Sequence, residues 1–319
     1  MKILFIDLVH PYLKERLTAL NYTCIEAYSL AMDEIKNQHA DVQGIIIRSR
    51  FKLSIDFFDA MPKLQFIARF GAGMENIDVS SAEARGIRCI HAPEGNRTAV
   101  AEHALGMLLS LLNNLMRADA EVRNHLWKRE ENRGYELEGL TVGIIGYGNM
   151  GSAFAQRLQG FGVKVLCYDK YKSNFINNSF CIESTLEQIQ QEADVLSIHL
   201  PYNEETAYLV DATFIEQFAK PFYFINTSRG KIVRTDDVVH ALKSGKLRGA
   251  CLDVLEYETL SFESLGKEEP AAFTELKQMQ HVVLSPHIAG WTHESNRKMA
   301  EVIAEKIGQA FPLNESSLK

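Results

Sequence analysis

The chain has 319 residues, 46% hydrophobic and 24% charged, with a formal net charge of −7. That length exceeds one average core and reads as about two domains, with the composition of a soluble globular protein. The negative balance argues against nucleic-acid and anionic-membrane partners, since either would favour a basic face. Five cysteines, at positions 24, 89, 167, 181 and 251, are scattered without C-x-x-C or metal-like spacing, so no metal site is expected. Three of them lie in or beside apolar runs, which suggests buried thiols in a reducing compartment. At the start, MKILFIDLVHP, Asp7 and His10 break the apolar run short of a signal-peptide core, so a first strand is expected. No apolar run approaches the ~20 residues that span a bilayer. A cytoplasmic protein is expected.

In chain order, the first strand candidates are KILFID, YTCIE, GIII (44–47), QFIA and IRCIH (87–91), with helical segments such as YLKERLTAL (12–20) between them. A long helical span then runs over 98–127, with Leu105, Leu108, Leu109, Leu112 and Leu115–Met116 at helical spacing and a wide apolar surface. Such a helix needs burial on more than one side, as an inter-domain core helix, a subunit interface, or both. From residue 141 a second strand series follows: TVGIIG, VKVLCY, VLSIHL, FYFIN, GACLDV and HVVLS. Near-continuous apolar runs separated by helices indicate buried parallel strands, so both series predict doubly wound α/β sheets. The last segment, THESNRKMAEVIAEKIGQAF, places Met299, Ile303 and Ile307 on one stripe with Val302 beside it, an amphipathic closing helix. No low-complexity linker and no disordered tail are expected.

The strongest local motif is TVGIIGYGNMG, where Gly146, Gly148 and Gly151 form G-x-G-x-x-G between an apolar strand and the helix SAFAQRLQGFG. The first glycine allows a tight turn, the second lets the backbone approach a pyrophosphate, and the third packs helix on strand. The helix N-terminus then faces the anion. The next strand ends in CYDK, with Asp169 eighteen residues after Gly151. A carboxylate there accepts from adenosine ribose hydroxyls and repels a 2′-phosphate, which favours NAD over NADP; the neighbouring Lys170 is the opposing feature.

Seven motifs, read together, resemble the D-isomer-specific 2-hydroxyacid dehydrogenases, the family of D-lactate, glycerate and 3-phosphoglycerate dehydrogenases. They are RFGAGMENID (69–78), GNRTAVAEHALGMLLSL (95–111), GIIGYGNMG, ADVLSIHLPYNEET (193–206), INTSRGKIV (225–233), GACLDVLEYE (249–258) and SPHIAG (285–290), in the family's order over nearly the whole chain. The resemblance implies a Rossmann NAD-binding domain, 98–287, inserted into a flavodoxin-like substrate domain, 1–97 plus 288–319. It also implies a homodimer through the 98–127 region.

Oxidising a 2-hydroxy acid needs a base for the hydroxyl proton, a hydride acceptor, and cations or donors for the carboxylate. By resemblance, His287 matches the acid/base, and imidazole suits that task because it exchanges protons near neutral pH. His287 follows the sixth strand of the second series, and ligands sit outside the carboxyl ends of such strands. Arg229 and Glu258 lie near the ends of the two preceding strands, so all three can meet at one crevice. Glu258 matches the acid that orients the imidazole. Arg229 matches the arginine that holds the substrate carboxylate and polarises the oxo group, where a planar two-pronged donor helps. The backbone at Gly71, Ala72 and Gly73 is expected to help bind the carboxylate, glycine permitting close approach. Asp253 would accept from the nicotinamide carboxamide, while Asn149, Met150, Leu200, Thr227, Ser228 and Gly290 match positions lining the cofactor. His103 and His199 read as structural or cofactor-adjacent, and His10, His91 and Trp291 as candidates for the cleft border.

Two departures stand out. Thr259 follows Glu258 where the family commonly has proline, and the stretch from Thr259 to Pro286, including SFESLGKEEPAAFTELKQMQ, is longer than usual. The substrate clue is IIIRSRFKLS (45–54), in which Arg48 and Arg50 share a face of a continued strand. RSR here resembles some 3-phosphoglycerate dehydrogenases, and two arginines could hold a phosphate; the alternative is surface ion pairing. Since the sequence ends after the closing helix, the serine-sensing feedback of some such enzymes is not expected here. Behind 3-phosphoglycerate stand glycerate/hydroxypyruvate and D-lactate as substrates. A non-catalytic NAD-sensing protein on the same scaffold is the reading from another class, and formate dehydrogenase is disfavoured by Glu258.

Overall fold

The computed structural model describes residues 1–259 and 269–312. Part of the long stretch between Glu258 and His287, at 260–268, lies outside the described residues, as does the end of the chain at 313–319 with the expectation about a disordered tail. The chain divides into two compact units, Met1–Arg97 with Trp291–Lys319, and Thr98–Gly290.

The first unit carries five parallel strands, β1 (Lys2–Phe5), β2 (Thr23–Glu26), β3 (Gly44–Ile47), β4 (Phe66–Arg69) and β5 (Arg88–His91). Their order is β2-β1-β3-β4-β5, that of a flavodoxin-like sheet. Side chains alternate across the pleat, so Ile3, Phe5, Ile46 and Phe66 enter one core while Leu4, Ile6, Ile45 and Ile67 enter another. The inner strands β1, β3 and β4 are buried on both faces, which is why they read as near-continuous apolar runs, whereas the edge strands β2 and β5 carry exposed polar residues. The closing helix His293–Ala310 packs Met299, Ile303 and Ile307 into the first core. Its start is fixed by Thr292, whose hydroxyl accepts from the Ser295 N–H at 3.0 Å.

The second unit holds seven parallel strands: β6 (Thr141–Ile145), β7 (Lys164–Tyr168), β8 (Ile182–Glu183), β9 (Val195–Ile198), β10 (Phe222–Asn226), β11 (Leu247–Leu252) and β12 (Val282–Leu284). Their order, β12-β11-β10-β9-β6-β7-β8, reverses between β6 and β9, and a crevice opens outside the strand ends at such a reversal. The edge strand β8 was not expected: it has two exposed residues and no apolar run to betray it. The strand before His287 is therefore the seventh of this sheet rather than the sixth.

The expected single helix over 98–127 is two helices, Pro93–Leu112 and Leu115–Arg123. Asparagine tolerates the left-handed conformation, and Asn114 adopts it at φ 52°. Asn113 reinforces the break by donating from Nδ2 to the Leu109 carbonyl at 3.0 Å. Ala101, Ala104, Leu108 and Leu112 lie in the core of the second unit, whereas Leu115 and Met116 are 53% and 65% exposed. Among the described residues, no helix is long and apolar enough to cross a membrane.

Candidate functional site

At the start of the second unit, Gly146 adopts φ 93°, and a Cβ there would lie 2.4 Å from the His199 carbonyl oxygen. A Cβ at Gly151 would meet the Gly146 oxygen at 2.0 Å, so only glycine lets helix and strand approach this closely. At Gly148 a Cβ would meet nothing, and this residue opens the helix Asn149–Arg157 without a side-chain cap. The first turn, containing Asn149 and Met150, therefore presents a helix N-terminus suited to an anion. Asp169 sits beside this turn, accepting from the N–H of Tyr147 at 2.9 Å and of Tyr171 at 3.1 Å. The neighbouring Lys170 ion-pairs with Glu205.

Ser228 ties β9 to β10: its hydroxyl donates to the Ile198 carbonyl at 2.6 Å and accepts from the Leu200 N–H at 3.2 Å. Beside it, the Thr227 hydroxyl is buried with no hydrogen-bond partner, as expected of a polar group that meets a bound molecule.

The turn after β10 carries Arg229, half-buried, with Nη1 donating to the Ser228 carbonyl at 2.6 Å. Gly230 lies against the chain leaving β11: a Cβ there would fall 1.9 Å from the Leu255 carbonyl carbon. The NTSRG turn and the segment leading to Glu258 are thus packed backbone to backbone. Glu258 folds back on that segment, accepting from the Leu255 N–H at 2.5 Å through Oε1. Its other oxygen, Oε2, lies 2.6 Å from His287 Nδ1. Both side chains are mostly shielded, at 13% and 21% exposure.

His287 itself takes a left-handed conformation, φ 54°. Its N–H donates to the Asp253 carbonyl at 2.7 Å. Asp253, 1% exposed, accepts from Ser285 Oγ at 2.6 Å, the Ile288 N–H at 2.9 Å and the Ala289 N–H at 2.9 Å. Burial pushes this carboxyl up, but His103, Ser285 and the Ala289 and Ile288 N–H groups together hold it below its ordinary value. Gly290 closes the unit. Among the described residues no group of side chains is arranged to hold a metal ion.

His10, His91 and His199 have local partners. His10 caps the helix Pro11–Ala19, accepting from the Tyr12 N–H at 3.2 Å. His91 Nδ1 lies 2.6 Å from the Ala72 carbonyl. His199 bonds Ser197 through Nε2 at 3.0 Å, and burial pushes its ring down to about 4.

The five substrate candidates lie in the first unit, beyond β3 and β4. Gly71 has φ 150°, and a Cβ there would strike the Arg69 guanidinium. The Arg48–Arg50 turn is organised around Asp7, whose Oδ2 accepts the N–H groups of Arg48, Ser49 and Arg50 at 2.6, 3.0 and 3.2 Å. Arg48 stacks on the Trp291 ring, 4.3 Å from its centroid. Arg50 turns inward and donates to the carbonyls of Ile6, Ala27 and Leu30 at 3.3, 3.3 and 2.9 Å. The Arg50 guanidinium thus serves the backbone, while that of Arg48 lies over the Trp291 ring. The bonds made by Asp7 and Ser285 were not foreseen, since their partners are 41 and 32 residues away.

The model of the D-isomer specific 2-hydroxyacid dehydrogenase NAD-binding domain matches residues 105–289. The D-3-phosphoglycerate dehydrogenase of Haemophilus influenzae is 34% identical over 308 residues, covering 96% of this chain and 73% of that protein. The chain belongs to the D-isomer-specific 2-hydroxyacid dehydrogenase family. These are NAD-dependent oxidoreductases, and the glycine turn, the uncapped helix start and the unpartnered Thr227 hydroxyl fit that cofactor. The human D-3-phosphoglycerate dehydrogenase is 32% identical over 304 residues, and the chain spans only 55% of its length. Among solved structures, the D-lactate dehydrogenase of Aquifex aeolicus, complexed with NAD and lactic acid, superposes with a TM-score of 0.80 at 29% identity. That match covers 98% of this chain and 95% of the other.

Two outcomes follow from this geometry. Gly151→Ala should weaken NADH binding by about tenfold or more, read by fluorescence titration, because the new methyl would strike the Gly146 carbonyl oxygen and pry the helix from the glycine turn. Unaltered affinity would remove Gly151 from the cofactor site. His199 titrates near 6.5 when unfolded and about 4 when folded, so the unfolded chain binds more protons between those values. Stability is fully present above about 6.5 and falls as pH drops toward 4. Urea unfolding across that range should show the loss, and His199→Gln should flatten it.

Proposed function

We propose that this protein interconverts 3-phosphoglycerate and phosphohydroxypyruvate, using Arg229, Glu258 and His287. The observation that carries the chemistry is the 2.6 Å pair between Glu258 Oε2 and His287 Nδ1. With Nδ1 committed to the carboxylate, Nε2 is the nitrogen that exchanges a proton with the substrate. In the reducing direction His287 gives that proton to the oxo oxygen, and the Arg229 guanidinium holds the carboxylate and draws charge from the oxo group. Bound NAD(H) supplies or takes the hydride. Asp169 favours NAD over NADP by accepting ribose hydroxyls, and Leu200, Thr227, Ser228, Asp253 and Gly290 line the cofactor.

The phosphorylated substrate is supported by the names of the human and Haemophilus relatives and by Arg48, a guanidinium held on an indole face. Gly71, Ala72 and Gly73 offer backbone donors to the substrate carboxylate. The reaction belongs to serine biosynthesis, in the cytoplasm. A homodimer is supported by the Leu115–Arg123 helix, none of whose residues is buried, and by Met116 and Trp127 at 65% and 78% exposure.

NADH consumption across phosphohydroxypyruvate, hydroxypyruvate, pyruvate and glyoxylate should be fastest with the phosphorylated acid. Turnover on unphosphorylated acids alone would refute the substrate, and none at all would favour a dinucleotide-sensing protein. His287→Ala should lower turnover by about 10²–10⁴-fold. Arg48→Gln should raise KM for phosphohydroxypyruvate by about tenfold, some 1.4 kcal/mol, and leave that for hydroxypyruvate unchanged. Sedimentation equilibrium should show a dimer that Met116→Lys with Trp127→Glu converts to monomer. A wild-type monomer would refute that assembly.

A further inference from the structure

We propose that His103 is a positioning residue for His287, acting through Ser285 and Asp253. This rests on the reading of His287 as the proton-exchanging group. His103 Nε2 lies 2.9 Å from Ser285 Oγ, and Ser285 Oγ lies 2.6 Å from Asp253 Oδ1. A serine hydroxyl has one proton to give. The short bond to the ionised Asp253 uses it, so the serine oxygen accepts from His103, and His103 carries its proton on Nε2. The same nitrogen is 3.5 Å from Asp253 Oδ1, so its positive edge also faces the carboxylate.

Beyond Asp253 the linkage runs into the turn that carries the acid/base. The carboxylate receives the N–H groups of Ile288 and Ala289, and the Asp253 carbonyl receives that of His287. The three residues from His287 to Ala289 thus hang from one aspartate by backbone bonds. Ser285, at the entry to the turn, is gripped from outside. One helical turn beyond His103, the Met107 sulfur lies 3.7 Å from the Ser285 hydroxyl, so positions i and i+4 of a single helix face clasp the serine.

That helix is a firm anchor. Ala101, Ala104 and Leu108 flank His103 and are each fully buried in the core of the unit. The 285–290 segment has no regular secondary structure and includes a residue at positive φ. His103 therefore transfers the rigidity of a packed helix to a strained turn. Displacement of a reacting group by about 1 Å can cost on the order of 10²-fold in rate, which sets the scale of the effect.

The test is a double-mutant cycle on the whole protein, with hydride transfer followed in single turnovers and NADH affinity by fluorescence. His103→Ala should slow the chemical step by about ten- to hundredfold while KM for the oxo acid and NADH affinity change less than about twofold. His103→Gln, which keeps an N–H donor at similar reach, should recover most of the rate. On a His287→Ala background, His103→Ala should cost nothing further, because the ring it positions is gone. Ser285→Ala gives the same pattern by an independent route and carries the test where His103→Ala fails to fold. An equal loss on both backgrounds, a loss confined to NADH affinity, or unchanged turnover in His103→Ala would overturn the proposal. Near-normal turnover in His287→Ala alone would instead overturn the functional reading on which it rests.

Discussion

The ionised carboxylate of Asp253 is the interaction on which the rest of the candidate site depends. A charge this deeply buried is expensive, several kcal/mol even after relaxation, unless hydrogen bonds replace the lost water. Here Ser285, Ile288 and Ala289 replace it, with His103 close by. The exchange works in both directions. The donors keep the carboxylate charged, and the carboxylate holds the backbone of Ile288 and Ala289 while its own main-chain carbonyl holds His287. A left-handed non-glycine residue costs roughly 1–2 kcal/mol, and such a conformation persists where surrounding bonds over-determine it. His287 meets that condition.

Parallel topology explains why the segments that carry Arg229, Glu258 and His287 all leave the sheet at the same end. β10, β11 and β12 are neighbours running the same way, so their carboxyl ends lie side by side. Arg229 leaves the first, Asp253 and Glu258 the second, and His287 the third. What the sheet alone does not provide is the last few ångströms. Those come from Gly230, whose missing side chain lets the first turn touch the second, and from Glu258, which folds back on Leu255 before reaching the imidazole. The imidazole is thus oriented at one nitrogen by a carboxylate whose own position is set by a backbone bond.

Most of this architecture was legible in the sequence because the inner strands, such as β3, β4, β9 and β10, are buried on both faces and so carry mostly apolar residues. The five apolar runs before residue 97 and the six after 141 each correspond to a strand. β8 escaped because an edge strand of two exposed residues carries no such constraint. The break at Asn113–Asn114 escaped because helical spacing of leucines continues across it, and only the left-handed tolerance of asparagine marks the spot. Motif order brought Glu258 and His287 forward as a pair. Nothing in the order could bring forward His103 and Ser285, 182 residues apart, whose meeting depends on how the Pro93–Leu112 helix lies in its core.

The two arginines of the RSR segment illustrate a limit of pattern reading with a functional consequence. Alternation puts both on one face of an extended strand, but the strand ends at Ile47 and the chain turns around Asp7. Three consecutive N–H groups on one carboxylate oxygen make an anion-binding turn already filled by the protein's own aspartate. Arg50 then follows the turn inward to three carbonyls, so its role is to hold the first unit together. Arg48 goes the other way, onto Trp291, and a guanidinium stacked on an indole keeps its in-plane donors directed away from the ring. Arg48 and Arg50 thus leave one turn for different partners, the Trp291 ring and the carbonyls of Ile6, Ala27 and Leu30.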